Sequence, residues 1–84
     1  MPRPVKSRKV CHYPQIQAFH PISDNENKDS IVLWVEEYEA IRLIDKEGFS
    51  QEQCSAFMQI ARTTVQRIYE TARRKIATAL VEGR

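Results

Sequence analysis

The chain has 84 residues, two of them cysteine, with 29% charged and 42% hydrophobic side chains and a formal net charge of +2. That length makes one small domain near the lower limit for a self-sufficient core. Two cysteines cannot build a disulfide framework. No apolar run approaches the roughly 20 residues of a membrane helix, and Met1-Pro2-Arg3-Pro4 does not open a signal peptide. The expectation is a soluble, cytoplasmic protein with reduced thiols.

The small net charge hides a partition. Residues 1–13 hold Arg3, Lys6, Arg8 and Lys9 and no acid. Residues 24–52 hold nine acids against Lys28, Arg42 and Lys46. Residues 60–84 hold six arginines and lysines against Glu70 and Glu82. Both ends are basic and the middle is acidic, so a polyanionic partner meets the ends.

Residues 1–30 contain all four prolines and no sustained periodicity. Proline fixes its own φ and restrains the residue before it, so this arm is predicted to be extended, ending in a polar loop over residues 23–30. Within it, Cys11, His12 and His20, with Cys54, are possible metal ligands, but their spacing matches no zinc signature. No metal and no cofactor is expected. The apolar run Ile31–Val35 fits either one strand or the lead-in to a helix.

From about Val35 the pattern turns helical. Trp34, Tyr38, Ile41 and Ile44 share a face that Ala40 and Leu43 widen, while Glu36, Glu37 and Glu39 read as a solvated face at a helix start. Arg42 has Glu39 and Asp45 within pairing distance along the helix. Gly48 suits the residue that ends it. Ser50 and Gln53 form a capping-box pattern for a short second helix, with Cys54, Phe57 and Met58 on its buried side. Gln59-Ile60-Ala61 breaks the chain. A third helix of about 19 residues, or roughly 28 Å, begins near Arg62. Its apolar stripe is Val65, Ile68, Tyr69, Ala72, Ile76, Ala79 and Leu80, and Gly83 terminates it.

A helix of about eight residues, a three-residue break and a longer third helix form the pattern of a helix-turn-helix. The apolar stripes face helix one and leave the start of helix three outward. There, Arg62, Thr63, Thr64, Gln66 and Arg67 offer side-chain donors of the kind that read base edges in the major groove. Arg73 and Arg74 lie further along as backbone contacts, with Lys75 beside them. Gln51, at the start of helix two, falls near phosphates. Arg3, Lys6, Arg8 and Lys9 suit the phosphate backbone or an A·T-rich minor groove. The remaining apolar surface of Ile76, Ala79, Leu80 and Val81 suits a two-fold dimer carrying two reading heads.

Several runs carry a resemblance. They are Val35-Glu-Glu-Tyr-Glu-Ala-Ile-Arg-Leu-Ile-Asp, Gly48-Phe-Ser-Gln, Thr64-Val-Gln-Arg-Ile and Ala72-Arg-Arg-Lys-Ile-Ala, with Met1-Pro-Arg-Pro and Cys11-X-X-Pro14 before them. Together they resemble domain of unknown function family 134, small prokaryotic proteins described only as predicted DNA-binding proteins. From Glu36 onward the chain also resembles, more loosely, region 4 of bacterial sigma factors, a helix-turn-helix that reads promoter DNA. Three positions depart from the family pattern. Gln59 stands where glycine is usual, Ala61 where a serine usually caps the third helix, and Trp34 where threonine or serine is common.

The expected fold is all-α, a tri-helical helix-turn-helix over residues 31–84 behind an extended basic arm and polar loop over residues 1–30. The expected function is sequence-specific binding of double-stranded DNA as a homodimeric transcriptional regulator. No catalysis is expected: there is no glycine-rich phosphate loop or nucleophile motif, and a domain this small leaves little room for a cleft. Two alternatives belong to other classes. One is a protein-interaction module, with RNA polymerase as its partner. The other is a small metal- or redox-responsive protein using Cys11 and His12.

Overall fold

The computed structural model describes residues 14–22 and 29–84. Helix α1 spans Val35–Ile41 and continues into a π-helical turn at Arg42–Lys46. Helix α2 spans Gln51–Met58 and α3 spans Arg62–Glu82. Among the described residues there is no strand, so Ile31–Trp34 is the lead-in to α1. Both α1 and α2 pack on α3.

The ends of these helices follow from their residues. At the start of α1, Trp34 N–H donates to Glu37 Oε1 at 2.9 Å. The π-helical turn widens the backbone so that Glu47 N–H reaches Arg42 O at 2.9 Å and Phe49 N–H reaches Leu43 O at 2.9 Å. Gly48 makes that closure in the left-handed region, at φ +81°, and a Cβ there would meet nothing within 4 Å. Glycine is needed for its backbone freedom and not for space. The closure brings Phe49 onto the core edge-to-face with Phe57, with centroids 5.9 Å apart.

Ser50 and Gln53 cap α2 reciprocally. Ser50 Oγ accepts from Gln53 N–H at 3.0 Å and Gln53 Oε1 accepts from Ser50 N–H at 2.8 Å. Helix α2 ends at Gln59, which is left-handed at φ 61° and ψ 44°. Ile60 N–H then bonds back to Ser55 O at 3.2 Å, the closing bond of a Schellman turn. Ser55 Oγ donates to Ile60 O at 2.6 Å, so one side chain ties both faces of the break. Ala61 is the extended N-cap of α3 and makes no side-chain cap bond.

The core holds Leu43 from the π-helical turn, Cys54 and Met58 from α2 and Val65 from α3, with Ile44, Phe49, Phe57 and Ile60 packed against it. Ala40, Ile68 and Ala72 are also buried. The inner face of α1 differs from the sequence-predicted one. Trp34 is 60% exposed, and the buried line runs through Glu37, Glu39, Ala40 and Leu43. Two carboxylates therefore sit where a solvated face was expected. Apolar counting missed them because each is neutralised inside the fold: Glu37 by Lys75 Nζ at 2.8 Å and Glu39 by the two-pronged guanidinium of Arg42 at 3.0 Å.

Two substitutions test the break. Ala61→Ser is expected to add about 1 kcal/mol by capping α3. Gln59→Gly is expected to add about 0.5–1 kcal/mol by removing left-handed strain, less the extra entropy glycine has when unfolded. Each kcal/mol raises the melting temperature of a domain this size by about 4–8 °C. Calorimetry showing no gain from either variant would mean the break is already unstrained and capped.

Candidate nucleic-acid interface

Helix α3 is the longest element, about 32 Å at 1.5 Å per residue. Its buried line of Val65, Ile68 and Ala72 turns the opposite face to solvent. On that face Arg62, Thr63, Gln66 and Arg67 are exposed, whereas Thr64 is half-buried toward the domain. Arg62 also lines one shallow recess with Ser50, Gln51 and Glu52. The three-residue break thus sets the first turn of α2 beside the first turn of α3. Gln51 is half-buried there.

The cations divide into two groups. Among the described residues, Arg62, Arg67 and Arg74 enter no ion pair, and all three are exposed. Arg67 and Arg74 are seven residues apart, two helical turns or about 10 Å along one side of α3. Arg73 is engaged from the α1 side. Its Nε lies 3.7 Å from Asp45 Oδ2 and its guanidinium carbon 5.4 Å from the Tyr69 ring centroid. Tyr69 donates to Asp45 Oδ1 at 2.6 Å, and that bond raises its phenol above the ordinary 10.0 by favouring the protonated form.

Lys75, grouped by sequence with the two arginines before it, has a structural role. Its ammonium donates to Glu37 Oε1 at 2.8 Å and to Val32 O at 2.9 Å, and lies 5.3 Å from the Trp34 ring centroid. It thereby joins α3 to the start of α1 and to the segment before it. Arg42 is similarly committed. Its hydrogen bond to Glu39, itself fully buried, raises its pKa, and Glu47 adds to the effect from 3.6 Å. Glu52 and Glu70, which the sequence reading counted only in the charge partition, are two exposed acids beside the candidate donors. They lower the local positive potential and leave Arg62, Arg67 and Arg74 as the exposed unpaired cations of α3 among the described residues.

The other candidates fall elsewhere. Arg3, Lys6, Arg8, Lys9, Cys11 and His12 lie outside the described residues. His20 is exposed on residues 14–22, which form neither helix nor strand. Cys54 is fully buried with its Sγ 3.6 Å from Met58 Sδ, and burial, then the charge of Glu39, pushes its thiol up. A thiol so placed behaves as a small core residue and is a poor nucleophile. Among the described residues no three potential ligand side chains gather as a metal site, and no helix is long and apolar enough to cross a membrane.

With the geometry in place, the chain can be compared with known proteins. The family model of the protein of unknown function DUF134 matches residues 1–84. The chain belongs to this family. A UPF0251 protein of Desulfitobacterium hafniense is 52% identical over 85 residues, which is all of this chain and 68% of that protein. A UPF0251 protein of Caldicellulosiruptor saccharolyticus is 48% identical over 84 residues, all of this chain and 59% of that protein. One of Thermoanaerobacter pseudethanolicus is 46% identical over 85 residues, and this chain spans 72% of its length. No solved structure matches the chain.

The division of the cations has a measurable consequence. Lys75→Met leaves Glu37 buried without its partner and is expected to cost about 1–3 kcal/mol in urea denaturation. Arg74→Ala is expected to stay within about 0.5 kcal/mol of the parent. Equal costs for the two would erase the distinction between a structural and a free cation.

Proposed function

We propose that this member of the DUF134 family is a sequence-specific DNA-binding protein of the helix-turn-helix type, working in the cytoplasm as a transcriptional regulator. The observation that carries the reading is the exposed start of α3. Gln66 is exposed, and Arg62 and Arg67 enter no ion pair among the described residues, one three-residue break after a capped helix, with the first turn of α2 beside Arg62. Arginine and glutamine make the bidentate contacts that tell guanine and adenine from other bases, and an α-helix fits the major groove.

In this reading α3 enters the groove by its first two turns. Thr63 reaches the same edges, Thr64 packs inward, and Arg74 meets the backbone two turns on. Arg73 is a backbone contact once it leaves Asp45. Gln51 lies near a phosphate at the positive end of α2. The basic residues Arg3, Lys6, Arg8 and Lys9 add phosphate contacts that carry no sequence information. The protein acts by binding and not by catalysis, as a homodimer on double-stranded DNA. The exposed Leu80 and Val81 at the far end of α3 supply surface for that assembly.

Binding-site selection from random duplexes, followed by titration on the selected site, tests this. Gln66→Ala and Arg67→Ala are each expected to cost about 1–3 kcal/mol on that site and to relax its specificity. Two variants that bind as tightly and selectively as the parent would refute the assignment of α3.

The arm is tested in the full chain by replacing Arg3, Lys6, Arg8 and Lys9 with glutamine. Each lost phosphate contact makes the log–log salt dependence shallower by about 0.9, so the combined variant should flatten it by about three to four units with helicity intact. An unchanged slope removes the arm from the interface.

A further inference from the structure

Asp45 reaches away from its own π-helical turn and across to α3. Arg42, the basic residue that begins that turn, is held by Glu39 and Glu47 instead. The Asp45 carboxylate is divided between two donors of α3. Its Oδ1 accepts the Tyr69 O–H at 2.6 Å, and its Oδ2 lies 3.7 Å from Arg73 Nε. The guanidinium also rests over the Tyr69 ring, with its carbon 5.4 Å from the centroid. The two contacts differ in strength. A hydroxyl at 2.6 Å from a carboxylate makes a short, strong, charge-assisted hydrogen bond. The arginine contact exceeds the roughly 2.7–2.9 Å of a hydrogen-bonded ion pair, so it is an attraction between charges alone. The side chains of Arg73 and Asp45 are 62% and 36% exposed, so water screens that attraction. Tyr69 therefore fixes Asp45, and Asp45 holds Arg73 loosely.

Arg73 shares a side of α3 with the first candidate donors. At about 100° per residue it lies about 20° around the helix from Gln66 and about 20° from Arg62, whereas Arg67 and Arg74 lie about 100–120° away from it. Along the axis it stands about 10 Å beyond Gln66. A major groove is about 12 Å wide. A helix whose first two turns meet base edges therefore brings Arg73 toward the phosphates of the groove wall. Asp45, which is tied to Tyr69 and Arg73, presents a carboxylate at that place.

We propose that the Asp45 carboxylate stands in for a DNA phosphate: in the free protein it is the anion beside Arg73, and a backbone phosphate of the bound duplex replaces it there while Tyr69 keeps Asp45 in position. This rests on the DNA-binding reading given above and adds Asp45 and Tyr69 to it as positioning residues. The exchange is cheap because the contact given up is an exposed pair without a hydrogen bond, worth a factor of about two to five in an equilibrium constant at most. A phosphate offers the guanidinium a two-pronged partner, which Asp45 does not provide through Nε alone. Until α3 is seated, Asp45 neutralises Arg73, so the free protein attracts a polyanion with one cation fewer. Arg73 then contributes only where the helix lies deep enough for a phosphate to reach it.

Titration of the selected duplex over a range of salt concentrations, with Asp45→Asn, Arg73→Met and the double variant of the full chain, tests the exchange. Asparagine keeps an oxygen for the Tyr69 O–H, and Arg73 is mostly exposed, so circular dichroism should match the parent. Arg73→Met is expected to make the log–log salt dependence shallower by about 0.9, the share of one phosphate contact. Asp45→Asn is expected to tighten binding by about two- to fivefold more in the parent than in the Arg73→Met background, with the salt slope unchanged. The gain that survives without Arg73 is the general effect of removing a negative charge near DNA. Tyr69→Phe should give part of the same gain, because the carboxylate is then no longer held beside Arg73. An Arg73→Met slope equal to the parent's overturns the proposal, and so does an Asp45→Asn gain of equal size in both backgrounds. Weaker binding by Tyr69→Phe overturns the part assigned to Tyr69, since the phenol would then contact the duplex itself. Gln66→Ala and Arg67→Ala are scored on the same duplex. If they lose affinity while Arg73→Met keeps the slope, the reading of α3 stands and the exchange fails; if no duplex is selected, both fall.

Discussion

The rotation of α3 about its axis decides which of its side chains meet solvent, and a single ammonium does much to fix it. Lys75 holds a buried carboxylate of α1, a backbone carbonyl of the lead-in segment and the face of Trp34. A charge removed from water costs several kcal/mol unless its partner is well placed, so Glu37 tolerates little displacement of Lys75. The apolar core adds bulk to the same decision. Leu43, Met58 and Val65 are buried and close-packed, so a rotation of α3 would open a void or a clash among them as well.

That constraint explains how the basic end of the chain is used. Of the arginines and lysines in α3, one is spent inside the fold, one is shared with Asp45 and Tyr69, and three enter no ion pair among the described residues. Counting charge along the sequence treats all five alike. The acidic middle of the chain takes up Lys75, Arg73 and Arg42 and leaves Arg62, Arg67 and Arg74 as the outward field. Among the described residues, the cations that enter no ion pair lie on the first two-thirds of this one helix.

The legible parts of this fold were those set by local chemistry. Ser50 and Gln53, Gly48 and Gly83 mark helix ends through capping and glycine's left-handed backbone, which depend on a few neighbouring residues and show directly in the sequence, whereas Gln59 was marked only by the family's usual glycine at that position. The three helices, the three-residue break and the buried line of α3 followed from them. The inner face of α1 did not. Glu37 and Glu39 are polar by type, and only partners at positions 75 and 42 make them interior residues; the first lies 38 positions away. The π-helical turn at Arg42–Lys46 was also not anticipated, since apolar spacing continued through it as an ordinary helix. Within the candidate interface, the outward setting of Arg62, Gln66 and Arg67 could be read from periodicity. The inward turn of Thr64 and the capture of Arg73 and Lys75 required the packed structure.

Because α3 has no break from Arg62 to Glu82, it behaves as one stiff rod with its polar and apolar ends mechanically joined. Thr63 and Leu80 are separated by about 26 Å along that rod. A tilt of about 10° about the Leu80 end would sweep Thr63 through roughly 4–5 Å, more than the length of a hydrogen bond. Whatever rests against the last turns of α3 therefore has leverage over its first turns. A contact made far from the exposed donors can engage or withdraw them without touching them.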